Sequence, residues 1–115
     1  LFAVFARRPN LIGYFAGHTH RNRRVHVPSA GGAPFVEVAS VKDFPGAVAE
    51  YRIHEGGVVQ VFRRISDPAA LAWSEKTRNM YEGGYGAYAF GRLGDRCFAM
   101  LTHDARLTAG TGGSS

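Results

Sequence analysis

Residues 11–20 of the chain read LIGYFAGHTH, an apolar run that ends in a glycine and two spaced histidines. Residues 11–16 are apolar throughout and too few for a stable helix, which predicts a strand buried on both faces. His18 and His20 follow directly, and neutral imidazole is the commonest metal ligand in proteins. The stretch therefore predicts an interior strand that carries half of a metal site at its end.

The composition is that of a folded domain with an excess of positive charge. The 115 residues suffice for one domain, and 45% of them are hydrophobic, which excludes a disordered chain. The net charge is +5, and arginine supplies 12 of the 14 basic residues. Arginine binds phosphate and carboxylate groups through two parallel hydrogen bonds. The excess therefore suits a nucleic acid or a phosphate ester, although a biased genome composition would produce it equally well.

Three further features of the sequence limit the class of protein to which the chain can belong. The single cysteine, Cys97, excludes an internal disulfide, and we expect a buried structural thiol. No apolar run approaches the ~20 residues of a membrane-spanning helix. Residues 1–6 are apolar but lack the charged start and the length of a signal peptide, so we expect the end of a helix that starts before this chain. Apolar side chains in residues 1–5 and 11–15 should then be exposed.

Short strands and one hairpin account for the middle of the chain. Pro9 should end the first helix, because the residue before a proline avoids the helical region. The turn Glu55-Gly56-Gly57 should join two strands into an antiparallel hairpin. Four strands are predicted here, at residues 23–27, 35–38, 48–53 and 58–63.

The last third of the sequence predicts one helix and less regular structure. Asp67 and Pro68 match an N-cap and a first helical position, and the helix should run to about Tyr81. Residues 83–94 have no clean period and should be irregular. A short strand or turn is expected over residues 95–101.

Several segments of the chain carry a family resemblance. Residues 9–22, PNLIGYFAGHTHRN, resemble the last conserved block of the calcineurin-like metallophosphoesterases, which is Gly-His-x-His after an apolar strand. Later segments are similar, in order, to the end of bacterial members of this family: Glu37-Val38-Ala39-Ser40, Phe44-Pro45, the strand pair split by Glu55-Gly56-Gly57, and residues 73–78 and 95–98.

The resemblance implies a fold and a domain organisation. The chain would be the C-terminal part of an α/β/β/α sandwich, mostly strands with one or two helices. Residues 1–66 would complete the catalytic domain, and residues 67–107 would form a helical or irregular extension packed on it. Residues 108–115, rich in Gly, Thr and Ser, are expected to be a disordered tail.

The same resemblance implies hydrolysis of a phosphomonoester or phosphodiester with two divalent ions, such as Fe, Mn or Zn. His18 would ligate one ion and His20 the other, while Thr19 would point away because side chains alternate along an extended chain. Gly17 would be small because the backbone approaches the ions closely. Together with Gly17, Arg21 and Asn22 would form the edge of the substrate pocket.

The family's other metal-binding blocks do not occur after this motif. They are Asp-x-His, Gly-Asp-x-x-Asp and Gly-Asn-His-Asp/Glu, and they precede Gly-His-x-His in the family. The resemblance therefore implies a C-terminal segment whose partner is the N-terminal part of the same protein. This chain by itself should be inactive, because productive metal sites need three or more protein ligands.

An alternative interpretation is a small basic β-rich domain that binds RNA or DNA. Arg21, Arg23 and Arg24 would contact phosphates, and the aromatic residues between 81 and 91 would stack on bases. Metal content and the salt dependence of nucleic-acid binding separate the two hypotheses. The remaining histidines are predicted to be bystanders: His26, His54 and His103.

Overall fold

The computed structural model describes residues 1–102, in which short helices surround two small β-sheets. The mixed α/β class predicted from the sequence is confirmed. In chain order, the helices and strands are α1 (Phe2–Arg7), β1 (Tyr14–Ala16), β2 (Arg23–Val27), β3 (Ala33–Glu37), β4 (Ala47–His54), β5 (Gly57–Arg64), α2 (Pro68–Glu75), α3 (Gly84–Phe90), α4 (Leu93–Arg96) and β6 (Phe98–Leu101).

The first sheet has the strand order β1-β3-β2, with β1 parallel and β2 antiparallel to β3. The prediction of an interior strand over residues 11–16 is wrong for the described chain. Regular pairing covers only Tyr14–Ala16, and β3 is the one strand that pairs with it within residues 1–102. Tyr14 and Phe15 are exposed on this edge strand. An apolar sequence predicts that its side chains should be buried. Whether they are buried depends on the other segments that pack against them.

Exposed apolar side chains are concentrated where the sequence predicted them. Six large ones lie in residues 1–15: Leu1, Phe2, Val4, Leu11, Tyr14 and Phe15. Phe5, by contrast, is buried against Ala30 and Ala33 and holds α1 on the first sheet. The expectation of exposure at residues 1–5 and 11–15 is therefore confirmed for these side chains.

The second sheet contains the predicted hairpin and has the order β4-β5-β6, antiparallel throughout. β4 and β5 pair from Ala47 with Arg64 to His54 with Gly57, so the hairpin prediction is confirmed. Gly57 has a φ of 156°, and a Cβ there would overlap the carbonyl oxygen of Met100. Glycine at this position therefore allows β6 to pair closely with β5.

The helical predictions hold in part. Asp67 caps α2 as expected, since its Oδ1 accepts a hydrogen bond from the amide of Ala70 at 2.8 Å. The helix ends at Glu75, so the prediction that it runs to about Tyr81 is wrong. Thr77 instead accepts a hydrogen bond from the Phe44 amide at 2.7 Å. That bond joins the chain after α2 to the turn before β4.

The expectation of irregular structure over residues 83–94 is also wrong, because α3 lies within that range and α4 begins in it. Glycines at positions 84 and 86 lower the intrinsic helix propensity of α3. Burial of Tyr85 and Ala89 against Phe44 offsets that cost. Tertiary packing therefore forms this helix on the side of the molecule where the histidine motif lies.

Two clusters of buried side chains join the sheets and α3 into one body. Val36 of β3 packs against Phe98 and Met100 of β6, which brings the two sheets together. Phe44 and Phe90 extend the cluster around α3, with ring centroids 5.7 Å apart. Cys97 is exposed, so the prediction of a buried thiol is wrong.

The predicted tail at 108–115 lies outside the described residues. Within the part of the chain that is described, every helix is too short or too polar to cross a lipid bilayer.

Candidate metal centre

The Gly-His-x-His motif forms a tight loop directly after β1. His18 and His20 both have left-handed backbone conformations, with φ values of 77° and 56°. Such values are uncommon for residues other than glycine, and they cluster at sites where function requires them. The loop is therefore not an extended continuation of the strand. Thr19 donates a hydrogen bond to Glu37 Oε2 at 3.3 Å and lines the same cavity as the two histidines.

Asp43 orients one of the two histidines. Its Oδ2 lies 2.5 Å from Nδ1 of His20, and the aspartate side chain is only 17% exposed. An ionised carboxylate only accepts hydrogen bonds, so Nδ1 carries the proton and Nε2 of the neutral ring carries the lone pair. Histidines that bind metals commonly donate their second ring N–H to a carboxylate in this way. The pair therefore leaves Nε2 of His20 as the nitrogen with the lone pair, which is the arrangement typical of metal-binding histidines.

The sequence did not single out Asp43 as a functional residue. It lies in a turn whose composition marked only a change of chain direction. Pairing Asp43 with His20 joins positions 23 apart in the chain, and no local pattern encodes that distance. The one available signal was a lone carboxylate in a Gly- and Pro-containing loop, which is common in proteins.

Two tyrosines of α3 complete the polar contacts around the motif. Tyr85 donates a hydrogen bond to Asp43 Oδ2 at 3.3 Å, and Tyr88 donates one to the carbonyl of Thr19 at 3.1 Å. Burial, reinforced by the charge of Asp43 and the hydrogen bond to it, raises the pKa of Tyr85 from 10.0 to about 12. Tyr85 therefore stays protonated and donates its hydrogen bond to Asp43 over the whole physiological pH range.

The change Tyr85→Phe should remove a tyrosine ionisation that occurs at unusually high pH. Below pH 10 the phenol is protonated in both the folded and the unfolded chain. Its full contribution to the free energy of unfolding is then present. Between about pH 10 and pH 12 only the unfolded chain ionises, and stability falls by about 1.4 kcal/mol per pH unit. A ¹³C NMR titration of labelled tyrosines should show one Cζ resonance that shifts near pH 12 and vanishes in Tyr85→Phe. A Tyr85 resonance that titrates near pH 10 would contradict this.

These groups surround an open cavity of about 490 Å³. One side is polar and consists of the motif loop with Asp43. The other side is largely aromatic and comes from α3 and the turn before it. The lining residues are His18, Thr19, His20, Asp43, Met80, Tyr81, Gly84, Tyr85 and Tyr88.

The three predicted pocket-edge residues are not among those lining residues. Arg21 lies beside the cavity, with its guanidinium 4.3 Å above the ring of Tyr88. Its buried Nε has no hydrogen-bond partner among the described residues and lies 3.9 Å from Glu37. Apart from Gly17 and its two neighbours in the chain, no described residue has an atom within 4 Å of a Cβ placed on Gly17.

Asn22 has a structural role in the described chain. It is 3% exposed, and its Nδ2 donates to the carbonyls of Ala89 and Phe90, both at 3.2 Å. Its Oδ1 accepts a hydrogen bond from the amide of Ala39 at 3.2 Å. Gly91 packs on the same residue, since a Cβ there would overlap the Asn22 carbonyl oxygen. These hydrogen bonds hold the end of α3 against the motif loop.

Two of the other histidines, His26 and His54, are not among the residues that line this cavity. His54 is exposed at the end of the hairpin, and His26 is exposed with its Nδ1 2.9 Å from the carbonyl oxygen of Gly32. His103 lies outside the described residues. The bystander role of His26 and His54 stays a prediction.

The donor atoms of His18 and His20 suit divalent transition metals, for which imidazole is a common ligand. Two histidines cannot hold two ions, and residues 1–102 contain no group of three or more His, Cys, Asp or Glu side chains arranged around one point. Within the described residues, the two histidines are therefore at most part of a donor set for a metal ion. Comparisons of the chain with protein-family models, with curated proteins and with solved structures find no match.

Proposed function

We propose that this chain provides part of the metal centre of a phosphoester hydrolase similar to the calcineurin-like metallophosphoesterases. The observation that supports this most directly is the contact of His20 with Asp43, which leaves Nε2 of His20 as the lone-pair nitrogen beside an open cavity. The left-handed backbone of both motif histidines adds to it, because such strain is retained where a site requires it. The two sheets would then be the C-terminal parts of an α/β/β/α sandwich.

Each residue of the site has a distinct task in this proposal. His18 and His20 hold the ions, and Asp43 fixes the orientation of the His20 ring. The ions, when bound, polarise the phosphate ester and the attacking water. Arg21 places a positive charge beside the cavity, where it favours the approach of an anionic ester.

The test compares two proteins, the product of the complete reading frame that contains this sequence and the 115-residue chain alone. The longer protein should contain a stoichiometric transition metal and hydrolyse bis(4-nitrophenyl) phosphate, and chelation should abolish the activity. The short chain should show no appreciable activity, because it lacks the remaining ligands. A longer protein that binds no metal, or that hydrolyses no phosphomonoester or phosphodiester when loaded with Mn²⁺, Zn²⁺ or Fe²⁺, would overturn the proposal.

Nucleic-acid binding is the alternative function, and it can be measured on the same two proteins. Its signature would be affinity for RNA or DNA that falls steeply with salt and needs no metal. Two of the relevant guanidinium groups already lie over aromatic rings of this chain: Arg21 over Tyr88, and Arg24 over Phe98 at 4.6 Å. These contacts engage two of the three arginines that the nucleic-acid hypothesis needs, so Arg23 alone does not form a basic stripe.

A further inference from the structure

The aromatic side of the cavity has a regular construction. Tyr81, Tyr85 and Tyr88 stand in a row, and both consecutive pairs of ring centroids are 6.1 Å apart. We call these three residues the tyrosine wall. Met80, which is apolar, extends the wall on the side of Tyr81. The wall faces the motif loop across the cavity, so a molecule held at the histidines would contact the rings.

The three rings differ in how firmly they are held. The hydroxyls of Tyr85 and Tyr88 are anchored to Asp43 and to the Thr19 carbonyl. Tyr81 is 80% exposed, and its hydroxyl has no hydrogen-bond partner among residues 1–102. Its backbone is left-handed with a φ of 53°, as is that of Glu82 at 58°. The turn after α2 therefore presents a large apolar ring to solvent at the cavity mouth, although exposure of such a ring is unfavourable by itself.

The charges around the wall select the kind of group that it can accept. An aromatic row of this type could in principle bind an organic cation through the faces of the rings. Here the Arg21 guanidinium already lies over Tyr88, and Asp43 is engaged by His20 and Tyr85. A second cation would therefore meet a positive neighbour, and the one carboxylate among the described residues that line the cavity is already engaged. A flat neutral ring meets neither obstacle and stacks favourably on tyrosine.

We propose that the tyrosine wall binds the organic part of the substrate, which is an ester carrying a flat aromatic group such as a nucleobase or an aryl ring. Tyr81 stacks on that group, while Tyr85 and Tyr88 form the fixed surface beneath it. The cavity of about 490 Å³ lies within the range of small-molecule sites. This substrate class rests on the proposed phosphoesterase function, because the motif histidines place the phosphate.

The test uses three phosphodiesters that share one non-aromatic leaving group, ethanethiolate: the S-ethyl phosphorothiolates that carry an O-thymidin-5′-yl, an O-phenyl or an O-methyl group. In each, water bonds to phosphorus, the phosphorus–sulfur bond breaks, and ethanethiolate leaves and is measured with a chromogenic thiol reagent. The complete metal-loaded protein should prefer an aromatic diester to the methyl diester by at least about tenfold in kcat/KM, the ratio that one stacked ring supplies. The thymidine and phenyl arms distinguish a nucleoside site from a general aryl site.

Tyr81→Ala should bring that ratio close to one, mainly by raising KM for the two aromatic diesters. Tyr81→Phe should retain the ratio, since the ring rather than the hydroxyl does the stacking. Trp73→Ala is the matched control, because Trp73 is an exposed aromatic residue of α2 outside the cavity. Equal rates for all three diesters, or a ratio unaffected by Tyr81→Ala, would overturn the substrate class and leave the phosphoesterase proposal standing.

A second measurement tests the wall without catalysis. Saturation-transfer NMR on the metal-free protein should show transfer to the base protons of thymidine 5′-monophosphate and none to glycerol 3-phosphate. Tyr81→Ala should abolish the transfer. If no diester is hydrolysed but this transfer occurs, the phosphoesterase proposal fails while the aromatic site stands. Transfer that is absent, or unchanged in Tyr81→Ala, would overturn the aromatic site.

Discussion

His18→Ala and His20→Ala are each expected to lower the phosphoesterase activity of the complete protein by more than about 100-fold. Loss of an outer contact to a metal ligand commonly costs 10- to 100-fold, and loss of the ligand itself costs more. The fold should be little affected, because His18 is exposed and His20 is partly exposed in a loop after an edge strand. The measurements are kcat/KM for bis(4-nitrophenyl) phosphate, metal content by mass spectrometry, and the thermal melting temperature.

His54→Ala is the matched control for both variants. It removes the same side chain from an exposed position at the hairpin end, outside the cavity, and should leave activity and metal content unchanged. Asp43→Asn should give an intermediate loss of roughly 10- to 100-fold, because it weakens the hold on His20 without removing the ligand. Wild-type rate and metal stoichiometry in His18→Ala would show that the motif does not bind metal.

Asn22→Asp is expected to destabilise the chain by about 3 kcal/mol, the typical cost of breaking a buried hydrogen-bond network. The substitution keeps the size of the side chain and the acceptor for the Ala39 amide. It turns the donor to Ala89 and Phe90 into an oxygen that faces two carbonyl oxygens in a buried position. Urea unfolding followed by circular dichroism should show a lower midpoint with the same slope.

The same change at Asn10, which is exposed, serves as the control and should alter stability by less than about 0.5 kcal/mol. Asn22→Asp should also loosen α3 from the motif loop. The resonance of Tyr85 should then titrate closer to pH 10 than in the wild type, because the phenol loses part of its burial. An Asn22→Asp chain as stable as Asn10→Asp would contradict the role assigned to Asn22.

Local patterns in the sequence predicted several elements well. The hairpin depends on alternating apolar residues and a glycine-rich turn, and α2 begins at an Asp-Pro pair whose capping chemistry is local. Predictions that needed knowledge of packing were wrong. α3 has low intrinsic propensity and exists because Tyr85 and Ala89 are buried against Phe44. The chain leaves the helical path after Glu75 in a region that hydrogen-bonds Phe44 through Thr77.

By itself the sequence determined the positions of β2 and β3, the β4–β5 hairpin, the start of α2 and the two histidines at the end of an apolar run. These follow from side-chain periodicity and turn chemistry, which act between neighbours in the chain. Only the tertiary structure decided which groups meet those histidines. It paired His20 with Asp43, placed the tyrosine wall across the cavity and buried Asn22 under α3. The physical reason is sequence separation: these contacts join residues 23 to 69 positions apart, so packing of the sheets and α3 fixes them and no local pattern does.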